Sequence, residues 1–293
     1  MTGGPASPAP ARAFRRVRIG LLLCALLLTA AWGARMSWHR WSRGSWQRPL
    51  QVGLVLLSPG TDVEADRWRR RADELAAHLD AEMARWRGPG GSAFQITVTG
   101  PVGWNGTLPF SPASKAPLDR AGHAVAVWRT VRDIDRAAGG AVGGFDVRIF
   151  FLCAPLPEGQ LGFAEGSGAV NGEVAFVRGS CDGDLSLPLQ TVGHELLHLV
   201  GATDRYDAGG HAREPDGLAD PGRLPLYPQT HAEWMVGEVP LAPGRGRLPG
   251  SLDELRIGEA TAREIGWIEY GGPGARRQPP RSPVRPPSPP GRW

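Results

Sequence analysis

His194-Glu195-Leu196-Leu197-His198-Leu199-Val200-Gly201-Ala202-Thr203-Asp204 is the stretch that decides how this chain is read. Histidines four apart on a helix lie one turn apart on the same face, so both rings can reach one metal ion. Glu195 follows the first of them and points toward the remaining coordination position, where an activated water needs a base. Gly201 stands three residues after His198, where a helix can end in a left-handed residue and the chain turns back. Asp204 comes three residues later and is placed to give a third, oxygen ligand. Three protein ligands and one open position predict a catalytic zinc site, not a structural one. The flanks agree with a helix. Ser186 is the expected N-cap, Pro188 lies in the first turn, and Leu189, Val192, Leu196, Leu197, Leu199 and Val200 form a buried face.

The HExxHxxGxxD pattern resembles the signature of the metzincin metalloproteases, in the variant with aspartate as third ligand. Tyr206 completes a D-x-Y pattern with Asp204, and Glu233-Trp234-Met235-Val236-Gly237 matches an E-x-M-x-G segment. Both details bring the chain closest to the snapalysin-like small neutral proteases of actinobacteria. The resemblance covers the active-site helix and its sequel, and elsewhere only the order of elements. It implies a zincin-like α/β (α+β) fold: a mixed, mostly parallel five-stranded sheet with an antiparallel edge strand, an active-site helix and a small C-terminal subdomain. It also implies a zinc endopeptidase. His194, His198 and Asp204 would hold one zinc ion, Glu195 would be the general base, and Met235 would lie in a tight turn beneath the metal. The edge strand, expected from Leu161 to Gly166 with Gly162, Phe163 and Ala164, would offer its backbone to an extended peptide substrate. Tyr206 and Tyr227 are candidates to hydrogen-bond the oxyanion or a zinc ligand. One departure is large: the segment from Asp207 to Ala232 is much longer than the link in small snapalysin-like enzymes, and Met235 lies beyond it.

Element order can be read from the hydrophobic periods. Val52 to Leu57 is a short strand, and Thr61 with Glu64 makes a capping box for a helix running to about Trp86. Its buried stripe is Trp68, Ala72, Leu75, Leu79, Met83 and Trp86, with Glu74 and His78 on the solvated face. Phe94 to Val98 alternates as a second strand. A second helix is expected over Leu118 to Ala138, carrying Val125, Trp128, Val131 and Ile134 toward the core. Phe145 to Cys153 and Glu173 to Arg178 are further strands. Ser251 and Glu254 form another capping box, for a short helix to about Ile265 with Leu255 and Ile257 buried. Strands and helices alternate early, which predicts a mostly parallel sheet.

The ends of the chain differ from its middle. Residues 1–48 carry eight arginines and no acid, residues 271–293 five arginines and no acid, so the formal charge of +4 leaves −9 for residues 49–270. An acidic middle argues against nucleic acid as a partner despite the basic balance of the whole. Residues 1–18 form a basic cytoplasmic N-terminus. Residues 19–34 are an apolar run, read as a signal anchor, or as a signal peptide cleaved after Gly33. Residues 35–48 are a juxtamembrane linker in which Trp38, Trp41 and Trp46 alternate with arginines, a composition that favours a membrane interface. Residues 49–270 make the catalytic domain, and 271–293 a disordered Pro/Arg tail. The protein is therefore expected outside the cytoplasm, membrane-anchored or secreted, as a monomer.

Cys153 and Cys181 form an even pair in an exported domain, which suggests a disulfide, with two buried free thiols as the alternative. In the sheet implied by the resemblance, the strands that precede them are parallel neighbours. Asp207, His211, Glu214, Asp216 and Asp220 make an oxygen-rich set that could take calcium, or simply a polar surface loop. His211 and His231 are competitors for the third-ligand role. Two other readings stay open: a gluzincin-like or amidase-type zinc hydrolase, the former with Glu233 or another downstream glutamate as third ligand, and a catalytically silent surface binding module that keeps the metal site.

Overall fold

The computed structural model describes residues 9–60, 63–110, 116–155 and 164–268. Helix α1 spans Ala9–Gly44, and its Val17–Arg35 stretch is long and apolar enough to cross a membrane. After it come β1 (Leu50–Ser58), α2 (Ala65–Arg87), β2 (Phe94–Gly103), α3 (Pro117–Ala137), β3 (Val147–Ala154), β4 (Ala164–Gly168), β5 (Val174–Ser180) and α4 (Ser186–Leu199). The five strands make one sheet in the order β2-β1-β3-β5-β4. All neighbours are parallel except β4, which runs antiparallel to β5 at the edge. The fold is thus mixed α/β with a mostly parallel sheet and an antiparallel edge, as the sequence predicts at this level.

Central strands of a parallel sheet are covered on both faces and read as continuous apolar runs. In β1, Val52, Leu54 and Leu56 face one way and join the cluster of Trp68, Leu75 and Leu79 from α2 and Leu196 from α4. Val55 and Leu57 face the other way, with Phe150, Phe176 and Ile134 of α3. The heavier layer is on the α2/α4 side, where the C-terminal part of the chain also packs. That part contains the short strands β6 (Ala232–Glu233), β7 (Val239–Ala242), β8 (Arg245–Arg247) and β9 (Leu255–Arg256), and helix α5 (Glu259–Glu264). Cys153 in β3 and Cys181 just past β5 are joined in a disulfide, with their Cα atoms 5.3 Å apart. It ties two parallel neighbours.

Several local expectations are corrected. Thr61 lies outside the described residues, and α2 starts after Glu64 without a side-chain cap. His78 is not solvated: its Nε2 is 3.1 Å from the Leu255 carbonyl and its ring packs 5.5 Å from that of Trp234. The C-terminal subdomain crosses that face of α2, which local period cannot reveal. On α3, Val125 and Trp128 are exposed and Ile134 is buried, because only the last turns of the helix lie over the sheet. Ser186 is not the cap of α4. It is the first helical residue, following Leu185 at the cap position, and its N–H donates to Asp184 Oδ1 at 3.0 Å. The expected helix from Ser251 to Ile265 is broken into one 3₁₀ turn (Leu252–Glu254), strand β9 and α5. Glu254 does not close a capping box on Ser251; it accepts two hydrogen bonds from Arg247 and one from Gly250 N–H, all at 2.7 Å.

Candidate metal centre

Helix α4 lies beneath β4 and β5 and is buried along most of its length. Its C-terminal end is built as the sequence suggests. Gly201 has φ 118°, its N–H donates to the His198 carbonyl at 3.0 Å, and Ala202 N–H donates to the Leu197 carbonyl at 3.0 Å. This is the Schellman pair of bonds, and it turns the chain back toward the histidine face. Asp204 then meets both rings. Its Oδ1 is 3.2 Å from His194 Nε2 and 3.2 Å from His198 Nε2. The donor atoms of the three residues all lie within 4.8 Å of one another.

The other ring nitrogens decide what this convergence means. His194 Nδ1 is 3.2 Å from the Trp234 carbonyl, and His198 Nδ1 is 2.9 Å from the Ala202 carbonyl. A carbonyl only accepts, so each Nδ1 carries the proton and each Nε2 of a neutral ring presents a lone pair. Asp204 Oδ1 is enclosed and lacks a hydrogen-bond partner. Three electron-pair donors therefore point at one place, an arrangement that needs a positive charge. Bonds of about 2.0–2.1 Å in tetrahedral geometry put ligand atoms roughly 3.3 Å apart, close to both Asp–His separations. The residues present fit zinc. Without an ion, burial pushes His198 down but contact with Asp204 outweighs it and raises the ring, while burial pushes Asp204 up and the two imidazoles hold it below its ordinary value.

Asp204 is fixed through its neighbours. Thr203 donates its N–H and hydroxyl to Glu264 at 2.9 Å each, and Arg213 donates to the Asp204 carbonyl at 2.9 Å. Arg205, nearly buried, pairs with Glu264 at 2.8 Å and donates its N–H to the Met235 carbonyl at 3.0 Å. Met235 is fully buried in a tight turn against α4. Glu233 builds that turn. Its Oε2 accepts Met235 N–H at 2.6 Å, and its Oε1 accepts the Thr261 hydroxyl at 2.6 Å and Gly258 N–H at 3.3 Å. Both oxygens are engaged in this turn, and Glu233 is not among the converging donors His194, His198 and Asp204. Trp234 donates to the Gln190 carbonyl at 3.2 Å, and its ring lies so close to Gly193 that a Cβ there would come within 2.8 Å of it. The turn thus supplies the carbonyl that orients His194.

Glu195 sits on the same helix face, 4% exposed, with its Oε2 buried and no hydrogen-bond partner. Burial raises its carboxyl above the ordinary value, against the pull of His194 and His198. Of the two tyrosine candidates, Tyr206 is close enough to Asp204 to feel its charge, and burial followed by that charge pushes its phenol up to about 12. Tyr227 is elsewhere: its hydroxyl donates to Glu214. In the edge strand, Ala164 is described and opens β4, while Gly162 and Phe163 lie outside the described residues.

The long segment after Asp207 disperses its acids. Asp207 accepts the N–H groups of Gly209 and His211, His211 meets Glu238 at 3.1 Å, Asp216 faces Arg205 and Asp220 accepts Gly222 N–H. With Glu214 on Tyr227, each of these side chains has a partner of its own, the arrangement of a polar surface loop. His231 bonds Thr230, so neither it nor His211 competes with Asp204. Sequence reasoning missed Glu264, Arg205 and Gln190 as supports. They act across long separations and carry no local pattern; only Gly193, a small residue next to His194, hinted at close packing.

A comparison with protein-family models finds no match, and a search of curated proteins finds no match either.

Proposed function

We propose that this chain is a zinc-dependent endopeptidase acting outside the cytoplasm, with Glu195 as general base. The observation that carries the reading is the convergence of His194 Nε2, His198 Nε2 and the orphaned Asp204 Oδ1, with a buried carboxylate beside them on the same helix. A zinc ion held by these three supplies Lewis acidity for the scissile carbonyl and lowers the pKa of water toward neutrality. The rest is the work of the chain. Glu195, raised by burial, accepts the proton of the attacking water and returns it to the leaving amine. The Trp234 and Ala202 carbonyls keep each Nε2 directed at the centre. Tyr206, half-exposed and near the Asp204 charge, is the residue we assign to the substrate oxyanion. Among the described residues β4 is the last strand of the sheet, a place that suits an extended peptide.

The N-terminal apolar stretch and the disulfide favour an extracytoplasmic place, and an uncleaved anchor is the finer reading. The test is metal content and quenched-peptide cleavage by the purified full chain in detergent, beside Glu195→Gln. One zinc per chain and chelator-sensitive cleavage, reduced about 100-fold or more in the variant with zinc retained, supports the reading. Full activity in zinc-loaded Glu195→Gln removes Glu195 from its role, and absence of zinc from the wild type ends the proposal.

A further inference from the structure

The carboxylate of Glu195 is roofed by bare backbone. Gly166 and Gly168 are two apart in β4, so both present the same side of the strand, the side toward α4. A Cβ on Gly166 would overlap Glu195 Oε1 and come within 2.7 Å of its Cδ and Cγ. A Cβ on Gly168 would lie 2.7 Å from Oε2. The residues between and before them face the other way: Ser167 is registered with Phe176, which packs in the α3 layer, and Glu165 pairs with Arg178.

A general base is ordinarily held by hydrogen bonds to its second oxygen. Here Oε2 is buried with no such partner, so its position depends on walls. We propose that Gly166 and Gly168 are positioning residues for Glu195, their two absent side chains forming the slot that fixes the carboxylate over the His194, His198 and Asp204 centre. This rests on the reading of Glu195 as base. A methyl group at either glycine forces the carboxylate aside or lifts the edge strand. Displacement of about 1 Å from a reacting geometry costs on the order of 100-fold in rate.

The experiment uses the full chain in detergent, with Gly166→Ala and Gly168→Ala each made alone and combined with Glu195→Ala. Gly103→Ala, in the opposite edge strand where a Cβ meets nothing, is the control. Expected is a kcat about 100-fold lower in each alanine variant, KM within about threefold, and one zinc per chain throughout. The melting temperature should fall with Gly166→Ala in the wild type and fall much less in the Glu195→Ala background, where the carboxylate is gone. Unchanged kcat in both variants, or equal melting losses in both backgrounds, overturns the slot. If cleavage is lost in Glu195→Gln yet kept in the alanine variants, the slot alone fails. If the wild type cleaves nothing, the endopeptidase reading fails, and the coupling in melting temperature still decides whether the slot exists.

Discussion

At the scale of single residues, Glu233 shows how much of the centre is held from below. It is fully buried, and burial raises its carboxyl to about 7, against the pull of Thr261, Gly258 and Met235. An unfolded chain ionises this group near 4.5. Between those two values the unfolded state gives up a proton that the folded state keeps, so stability falls as pH rises and levels off above about 7. The size is about 3 kcal/mol for a shift of this order. Glu233→Gln has no such proton. Urea unfolding of chelator-treated protein should show the wild-type advantage over this variant shrinking from pH 4.5 to 7.5. A difference independent of pH would mean that Glu233 is already ionised in the fold. Asp204→Ala separates the two acids by their tasks: zinc affinity should drop by at least about 100-fold, since a first ligand counts for no less than its supports. Glu233→Gln should keep zinc at equal stoichiometry, measured by titration against a competing chelator.

At the scale of elements, the parts legible in the sequence are those whose cause is local. The buried stripe Trp68, Ala72, Leu75 and Leu79 is a 3.6-residue period, and α2 carries it inward as read. Gly201 ends α4 because only glycine is at ease at its φ of 118°, and the spacing to His198 and Asp204 encodes that turn directly. What failed was decided at a distance. His78 looked solvated until the C-terminal chain laid Leu255 on it, and Val125 and Trp128 obey a helical period on a face the sheet does not reach. Ser251 and Glu254 have the spacing of a capping box, yet Arg247 claims the carboxylate and the chain extends into β9. Gly201→Ala tests the legible part. A Cβ there adds strain and meets Asn171 Oδ1 and the Glu264 carbonyl at 3.3 Å. The cost is about 1–3 kcal/mol of stability. Because the turn also sets the Ala202 carbonyl on His198, zinc affinity should fall about tenfold or more in the same variant. Stability lost with zinc affinity untouched would show the cap to be only structural. Removing the disulfide that closes the 28-residue separation should cost roughly 3–4 kcal/mol, read by unfolding of Cys153→Ser with Cys181→Ser.

At the scale of the whole molecule, the question is where helix α1 stops and the domain begins. The sequence places residues 35–48 in a linker, but their last part is packed. Arg43 is 6% exposed and donates to the Asn171 carbonyl at 3.1 Å. Asn171 in turn donates its N–H to the His198 carbonyl at 2.9 Å, so the end of α1 is two contacts from His198. Trp46 donates to the Ile265 carbonyl at 2.6 Å and meets Phe94 and Trp267 edge-on at 5.3 and 5.7 Å. Such a ring contributes on the order of 3 kcal/mol when its packing is lost. A chain beginning at residue 49 should therefore melt several degrees below one beginning at residue 35, although both contain every residue of the sheet and the centre. The same comparison can be made within the full chain by Trp46→Ala, which keeps the membrane segment intact. If all three are equally stable, the contacts of Arg43 and Trp46 are incidental, and the apolar part of α1 is joined to the domain by a free linker. If the shorter chain and Trp46→Ala lose stability together, α1 is docked on the domain. The metal centre then stands at a set distance from the membrane: Arg35 to Gly44 is helix, and at about 1.5 Å per residue it lifts the domain roughly 14 Å beyond the apolar span.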